Sequence, residues 1–229
     1  MENFGPIKFL VESIMIPFLN FSYHSIMPNY GFAIIFLTII IKIFFYPLMN
    51  KQYKSMKKMQ EIAPLMTEIR SKFKSKPEKM QQEVIRLYRE HNVNPLQGCL
   101  PMLMQIPFFI AIYATIMSSK FTDLLAIPGI NKGLFSFWLS DLSMADTTFI
   151  LPIVLAIFTY YSQKMIMVDP KQKQLLYLSP IMILIFGLQL PSGVLLYWAT
   201  STVLSTVQQF MISKPNSSEI LNVIPKKAH

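Results

Sequence analysis

Tyr30–Met49 reads YGFAIIFLTIIIKIFFYPLM, a run whose only strongly polar members are Thr38 and Lys42. A bilayer core takes about 20 consecutive apolar residues in a helix, and this run meets that length. Outward from it, four more stretches approach the same criterion: Pro95–Ser119, Phe149–Met167, Leu175–Leu190 and Val194–Ile212. The last two are joined by Leu190-Pro191-Ser192-Gly193, whose Pro and Gly suit a tight reversal. The expected fold is an all-α integral membrane protein. Its five transmembrane helices fill residues 30–212, preceded by a segment 1–29 and followed by a basic tail 213–229.

Composition agrees. Of 229 residues 52% are hydrophobic and 14% charged, against about 25% charged in an average soluble chain; the mean hydropathy is +0.40. The net charge of +9 fits nucleic acid, anionic lipid or the positive bias of cytoplasmic loops, and position separates these. Residues 50–94 hold eleven Lys or Arg against five acids, whereas 119–148 hold Lys120 and Lys132 against Asp123, Asp141 and Asp146. The loop 164–174 and the tail are again positive, and the N-terminal 29 residues carry Lys8 against Glu2 and Glu12. The alternation predicts the N-terminus outside, with the 50–94 loop, the second loop and the C-terminus in the cytoplasm. The first 20 residues lack the basic start of a cleavable signal.

Gly5–Ser25 is apolar but interrupted by Lys8, Glu12, Asn20 and Pro17; it is expected to lie on the outer surface as an amphipathic helix. In the 50–94 loop Met56, Met59, Ala63, Met66, Ile69 and Phe73 recur at helical spacing. Ser75-Lys76-Pro77-Glu78 breaks the pattern, Pro77 suiting a first helical turn, and Met80, Val84, Leu87 and Tyr88 resume it. This predicts a cytoplasmic helical hairpin. Its methionines fit either a promiscuous apolar surface or ordinary filling between two helices. Its lysines fit either a solvated face or a surface for ribosomal RNA or anionic headgroups.

Enzyme chemistry finds no constellation. Ser192 has no base nearby in sequence, and His24, His91 and His229 all fall outside the spans. There is no metal-ligand cluster, the single cysteine is Cys99, and no Gly-rich phosphate loop occurs among seven glycines. No cofactor, catalytic residue or small-molecule substrate is expected. Lys42 is the strongest single signal, since a charge at helix centre costs about 2.5–3.5 kcal/mol on insertion scales. It either snorkels toward Met49 or faces a wet cavity. Thr38 shares its helical face. In the last span Tyr197, Ser201, Ser205 and Gln208 form a stripe flanked by Trp198, Thr202 and Gln209; Gln105 and Gln163 lie in the second and third spans. These hydroxyls and amides fit a hydrated groove or helix–helix glue equally well.

Ordered motifs then carry a resemblance. They are Tyr30–Ile35 leading to Lys42, Tyr46-Pro47-Leu48, Gln52-Tyr53, Ser55–Met59, Tyr88, Val93–Leu96, Gly98–Pro101 and Gln105–Phe109. Further on lie Trp138, Asp141-Leu142-Ser143, Ile150–Pro152, Gln163–Met165, Asp169-Pro170 and Pro191–Trp198. Over roughly residues 6–212 the chain resembles the YidC membrane protein insertases and their mitochondrial and chloroplast relatives. The resemblance implies insertion of nascent membrane proteins into the lipid bilayer of the bacterial inner membrane. The route is a groove open to cytoplasm and lipid, in which Lys42 stands where arginine is usual. Thr38, Tyr197 and Trp198 match substrate-contact positions. Lys57, Lys58 and Met59 of the hairpin, with Asp169 and Pro170 of the second loop, match docking elements for the ribosome, the signal-recognition receptor or the Sec translocon. Many relatives carry an additional first span and an outer domain, so the chain is expected to be a minimal form or one shortened at its start. A small channel or transporter, and a membrane assembly scaffold, are the alternatives from other classes.

Overall fold

The long apolar run becomes a single helix because its start is well capped and nothing later stops it. In the computed structural model, which describes residues 5–94, 100–130, 133–135, 137–167 and 173–213, α3 runs over Tyr30–Glu61. Asn29 is in extended conformation and its Oδ1 accepts the Phe32 N–H at 3.0 Å, a side-chain N-cap. Pro47 is carried inside the helix. By length and apolarity α3 can cross a membrane. Ahead of it, α1 (Gly5–Phe9), a π-helical turn (Leu10–Met15) and α2 (Ile16–Ser25) follow one another without a break.

The hairpin begins later than its sequence pattern suggests. Residues 50–61 stay in line with α3, and the two arms are α4 (Ala63–Lys72) and α5 (Pro77–Glu90). Ile62, Met66, Leu87 and Val93 form its small core, with Met59, Ile69, Val84 and Tyr88 against it. Met56, expected in the same stripe, packs instead with Met49 and Tyr53, because it belongs to the continuing helix.

The remaining helices are α6 (Leu100–Ile116), α7 (Ser119–Ala126), α8 (Ile150–Ile166), α9 (Lys173–Gly187) and α10 (Ser192–Ser213). The axis bends by 49° between α6 and α7, where Ser118 Oγ caps α7 by accepting the Phe121 N–H. At 1.5 Å per residue α8 and α9 are roughly 25 and 22 Å long, under the ~30 Å of a hydrocarbon core. α10 packs on α8 and α3, and α9 packs on α8. Small residues let the backbones close: Ala33, Ala111 and Ala199 are buried in the main core. A Cβ on Gly31 would stand 2.7 Å from Leu134 Cα, a backbone atom that cannot move aside. Close packing of this kind holds helices together where lipid removes the hydrophobic drive between them.

One end of the bundle is sealed by residues 133–135 and 137–148, and we call it the loop end. Leu134, Leu139 and Leu142 are buried in the main core. Gly31 N–H donates to Gly133 O at 3.2 Å, and Gly193 N–H to Leu142 O at 2.9 Å. Asp146, itself buried, accepts from Leu151 N–H (2.8 Å), Thr148 N–H (3.0 Å) and Thr148 Oγ1 (2.5 Å), pinning the start of α8. The N-terminal helix packs across the same end through Val11, Met15, Leu19 and Tyr23. Its free side shows Phe9, Ile14 and Phe21, and Glu12 is bound to Lys120 at 2.8 Å. That bond holds the Glu12 carboxyl below the usual carboxylate range.

Candidate functional site

α3 and α10 both start at the loop end, so equal steps along them reach equal depths. Lys42 lies 12 residues into α3 and Ser205 13 into α10, both about 18–20 Å from the loop end at 1.5 Å per residue. Lys42 Nζ donates to Ser205 Oγ at 2.7 Å. The ammonium therefore reaches sideways across the bundle at its own depth, which removes the snorkelling reading. Among the described residues no carboxylate pairs with it.

Lys42 faces a cavity of about 880 Å³ framed by α3, α6, α8, α9 and α10. Six of the expected groove residues line it: Lys42, Gln105, Gln163, Trp198, Ser201 and Thr202. Its deepest wall on α3 is Ile41–Lys42 and on α10 Trp198, while its near rim includes Met59, Pro101, Met167 and Gln209. The space thus runs from the side of the α4–α5 hairpin to Trp198, about 9 Å along α10 from the loop end, and stops short of that end. α9 packs on α8 and α6 on α10, and among the described residues no comparable seam joins α6 to α9.

Several polar groups on the wall pair with one another or with a neighbour behind it. Gln105 Nε2 donates to Tyr197 Oη at 2.8 Å, and Ser201 Oγ donates to Gln105 Oε1 at 3.1 Å. Ser179 Oγ donates to Gln163 Oε1 at 2.7 Å, and Ser162 Oγ to Gln209 Oε1 at 2.8 Å. Gln60 donates to the Met165 carbonyl, tying the end of α3 to that of α8. Glue and groove are therefore one structure: the amides that join helices also form the polar wall.

Three expected groove residues do not reach the cavity. Thr38 is fully buried and its Oγ1 donates to its own helix at Ile34 O, 2.7 Å away; the space has already closed one turn below it. Tyr197 is buried and meets the cavity only through Gln105. Gln208 Nε2 donates to Asn50 Oδ1 at 3.0 Å in the α3–α10 seam. Conversely, Tyr53, Thr159, Ser162 and Ser179 line the cavity, although none of them is among the groove residues expected from the sequence. Helical spacing from Lys42 (residues 45, 49, 53 and 56) points to Tyr53, had α3 been carried past Met49. Of the expected docking residues, Lys58 is exposed and Met59 sits at the cavity rim; Asp169 and Pro170, like Cys99 and the tail from residue 214, lie outside the described residues.

A helical membrane protein with an amide-lined cavity around one lysine, stopping short of one end of the bundle, is the class this arrangement defines. The family model for the 60Kd inner membrane protein matches residues 21–219, and the chain belongs to that family. Relatives called membrane protein insertase YidC include that of Citrifermentans bemidjiense, 42% identical over 92% of this chain and 37% of the relative. Those of Geobacter sulfurreducens (39%, covering 86% and 36%) and Helicobacter pylori (37%, covering 93% and 38%) are similar. The chain thus spans little more than a third of the length of these relatives. A crystal structure of active YidC insertase with its first transmembrane domain resolved superposes with a TM-score of 0.68, at 27% identity, over 86% of this chain and 45% of that one.

Proposed function

We propose that this protein is a membrane protein insertase that moves hydrophobic segments and short polar tails of client proteins from the cytoplasm into the bilayer. The observation that carries the reading is the ammonium of Lys42, hydrogen-bonded to Ser205 and with no carboxylate partner among the described residues, on the wall of a cavity that reaches toward the hairpin and stops short of the loop end. The loop charges put the N-terminus and the loop end outside, and the hairpin and C-terminus in the cytoplasm. In this reading α3, α6, α8, α9 and α10 are five spans, the short α8 and α9 being met by local thinning or flanking residues. Residues 5–25 lie along the outer surface.

The physical work is a lowered crossing barrier. Unpaired polar groups cost several kcal/mol each in hydrocarbon. A groove lined by Gln105, Gln163, Ser201, Thr202 and Ser205 takes a polar tail part of the way across before it meets apolar surroundings. Lys42 holds an acidic tail there transiently, and the client's apolar part leaves through the unpacked flank between α6 and α9. Lys57, Lys58 and Met59, with Asp169 and Pro170, offer docking points for the ribosome, a targeting receptor or the Sec translocon. Nucleotide chemistry has no part in this sequence of steps.

The test places a photocrosslinker at position 198 or 42 during synthesis of a single-span membrane protein and, in parallel, measures insertion by Lys42→Glu protein in vesicles. Crosslinks to the nascent chain and loss of insertion of an acidic-tailed client are expected. Solute flux without insertion would overturn the reading in favour of a channel. Insertion that survives Lys42→Glu unchanged would remove the electrostatic step.

A further inference from the structure

Backbone hydrogen bonds between Leu134 and Leu139 and between Phe135 and Trp138 frame a group of aromatic rings, two of them exposed. Leu134 N–H donates to Leu139 O at 2.9 Å, and Phe135 and Trp138 exchange both backbone hydrogen bonds, at 3.1 and 3.2 Å. Trp138 Nε1 donates to Thr148 Oγ1 at 2.9 Å. On this frame Phe135 stacks with Phe137 (centroids 5.4 Å apart, 15° between planes) and with Trp138 (6.3 Å, 17°). Phe137 is 84% exposed, more than any other large apolar side chain among the described residues. In this stack Phe137 presents its ring outward, where an apolar partner would cover it.

The surroundings identify that partner. Phe32, in the first turns of α3, meets Phe135 edge-on at 6.2 Å. Below it Phe36, Ile40, Ile43 and Phe44 are exposed along the same helix, a ridge whose only available solvent in a spanning helix is lipid. The aromatic turn extends this ridge past the end of the span, and residues 133–140 carry no charge. Rings with one satisfied N–H at the end of a span suit the interfacial layer of a bilayer.

We propose that Phe135, Phe137 and Trp138 form a membrane anchor seated in the interfacial layer of the leaflet at the loop end, among glycerol and upper acyl-chain carbons of phospholipid. The same turn accepts Asn29 Nδ2 at Leu134 O (2.9 Å) and Gly31 N–H at Gly133 O (3.2 Å). Lipid therefore steadies the segment that closes the bundle. The anchor is uncharged, and its hold is insensitive to salt and to headgroup charge. It rests on the reading that the bundle spans a bilayer.

The chain has two tryptophans, which makes the test direct. The full chain with Trp198→Phe, at one copy per vesicle, leaves Trp138 as reporter in phosphatidylcholine carrying nitroxides at the headgroup, carbon 5 or carbon 12. Quenching should be strongest at carbon 5 and weaker at carbon 12, as for a ring at the interface, and iodide in the buffer should quench little. Phe135→Ser with Phe137→Ser should shift Trp138 emission to the red and raise iodide quenching. Iodide quenching without lipid quenching places the turn in water and overturns the anchor; quenching by neither means that protein covers it, and equally overturns it. The complementary Trp138→Phe protein, with Trp198 about 9 Å into α10, should be quenched best from carbon 12. Loss of that signal refutes the spanning reading itself, separately from the anchor.

Discussion

Replacing Lys42 by Gln removes the charge of the cavity while keeping a donor for Ser205 Oγ, now 2.7 Å from the ammonium. The magnitude follows from Coulomb's law. A carboxylate 4 Å from the ammonium gains about 1 kcal/mol if the cavity behaves as bulk water and about 4 kcal/mol at the effective dielectric near a protein surface. An open, amide-lined cavity lies between these limits, so an acidic tail should lose roughly 5- to 1000-fold in occupancy at this depth. The assay is a double cycle in reconstituted vesicles: wild type and Lys42→Gln, each with a client carrying one acidic residue in its translocated tail and with the same client carrying Gln there. The variant should slow the acidic client and leave the neutral one nearly unchanged, the coupling being the ratio of the two ratios. Equal slowing of both clients would show that Lys42 acts through packing, and the argument from charge would fail. Lys42→Arg should keep most of the coupling, because charge and not a particular fork geometry is what the cavity presents.

Two further outcomes test the frame around the cavity. Gln105→Ala strands the buried Tyr197 hydroxyl and should cost about 1–3 kcal/mol; adding Tyr197→Phe should restore part of it, read as thermal unfolding in detergent and as non-additivity of the pair. Asp146→Ala removes three hydrogen bonds at the start of α8. Each bond to a charged group is worth about 1.5–3 kcal/mol, so a clear fall in unfolding temperature is expected, with Asp146→Asn intermediate. An unchanged midpoint in the Ala variant would refute the capping role.

Much of the fold was legible because the bilayer imposes simple requirements on a chain. Tyr30–Met49 announced a spanning helix by length and apolarity, and Leu190–Gly193 announced a reversal by its Pro and Gly. The hairpin showed its 3–4 spacing, although Met56 was assigned to it when it belongs to α3. A stripe of residues runs on past the bilayer, and no local signal marks where the helix stops being one element and becomes another. The same limit applied within the spans. Thr38 and Lys42 share a face, yet one is sealed and the other lines the cavity.

Sequence alone determined which stretches are apolar enough to be helices among lipid, how charge alternates between them, and that Lys42 needs a polar surrounding. Those are properties of composition and period, summed along one chain. Tertiary structure decided where the cavity ends, which amides join helices as well as line its wall, and that Gln208 is consumed by Asn50 while Tyr53 lines the cavity. The physical reason is that a periodic pattern fixes the direction of a side chain only relative to its own helix. Whether that direction meets a neighbour or an opening depends on how the five helices are rotated and packed against one another, through contacts between residues as far apart as Lys42 and Ser205.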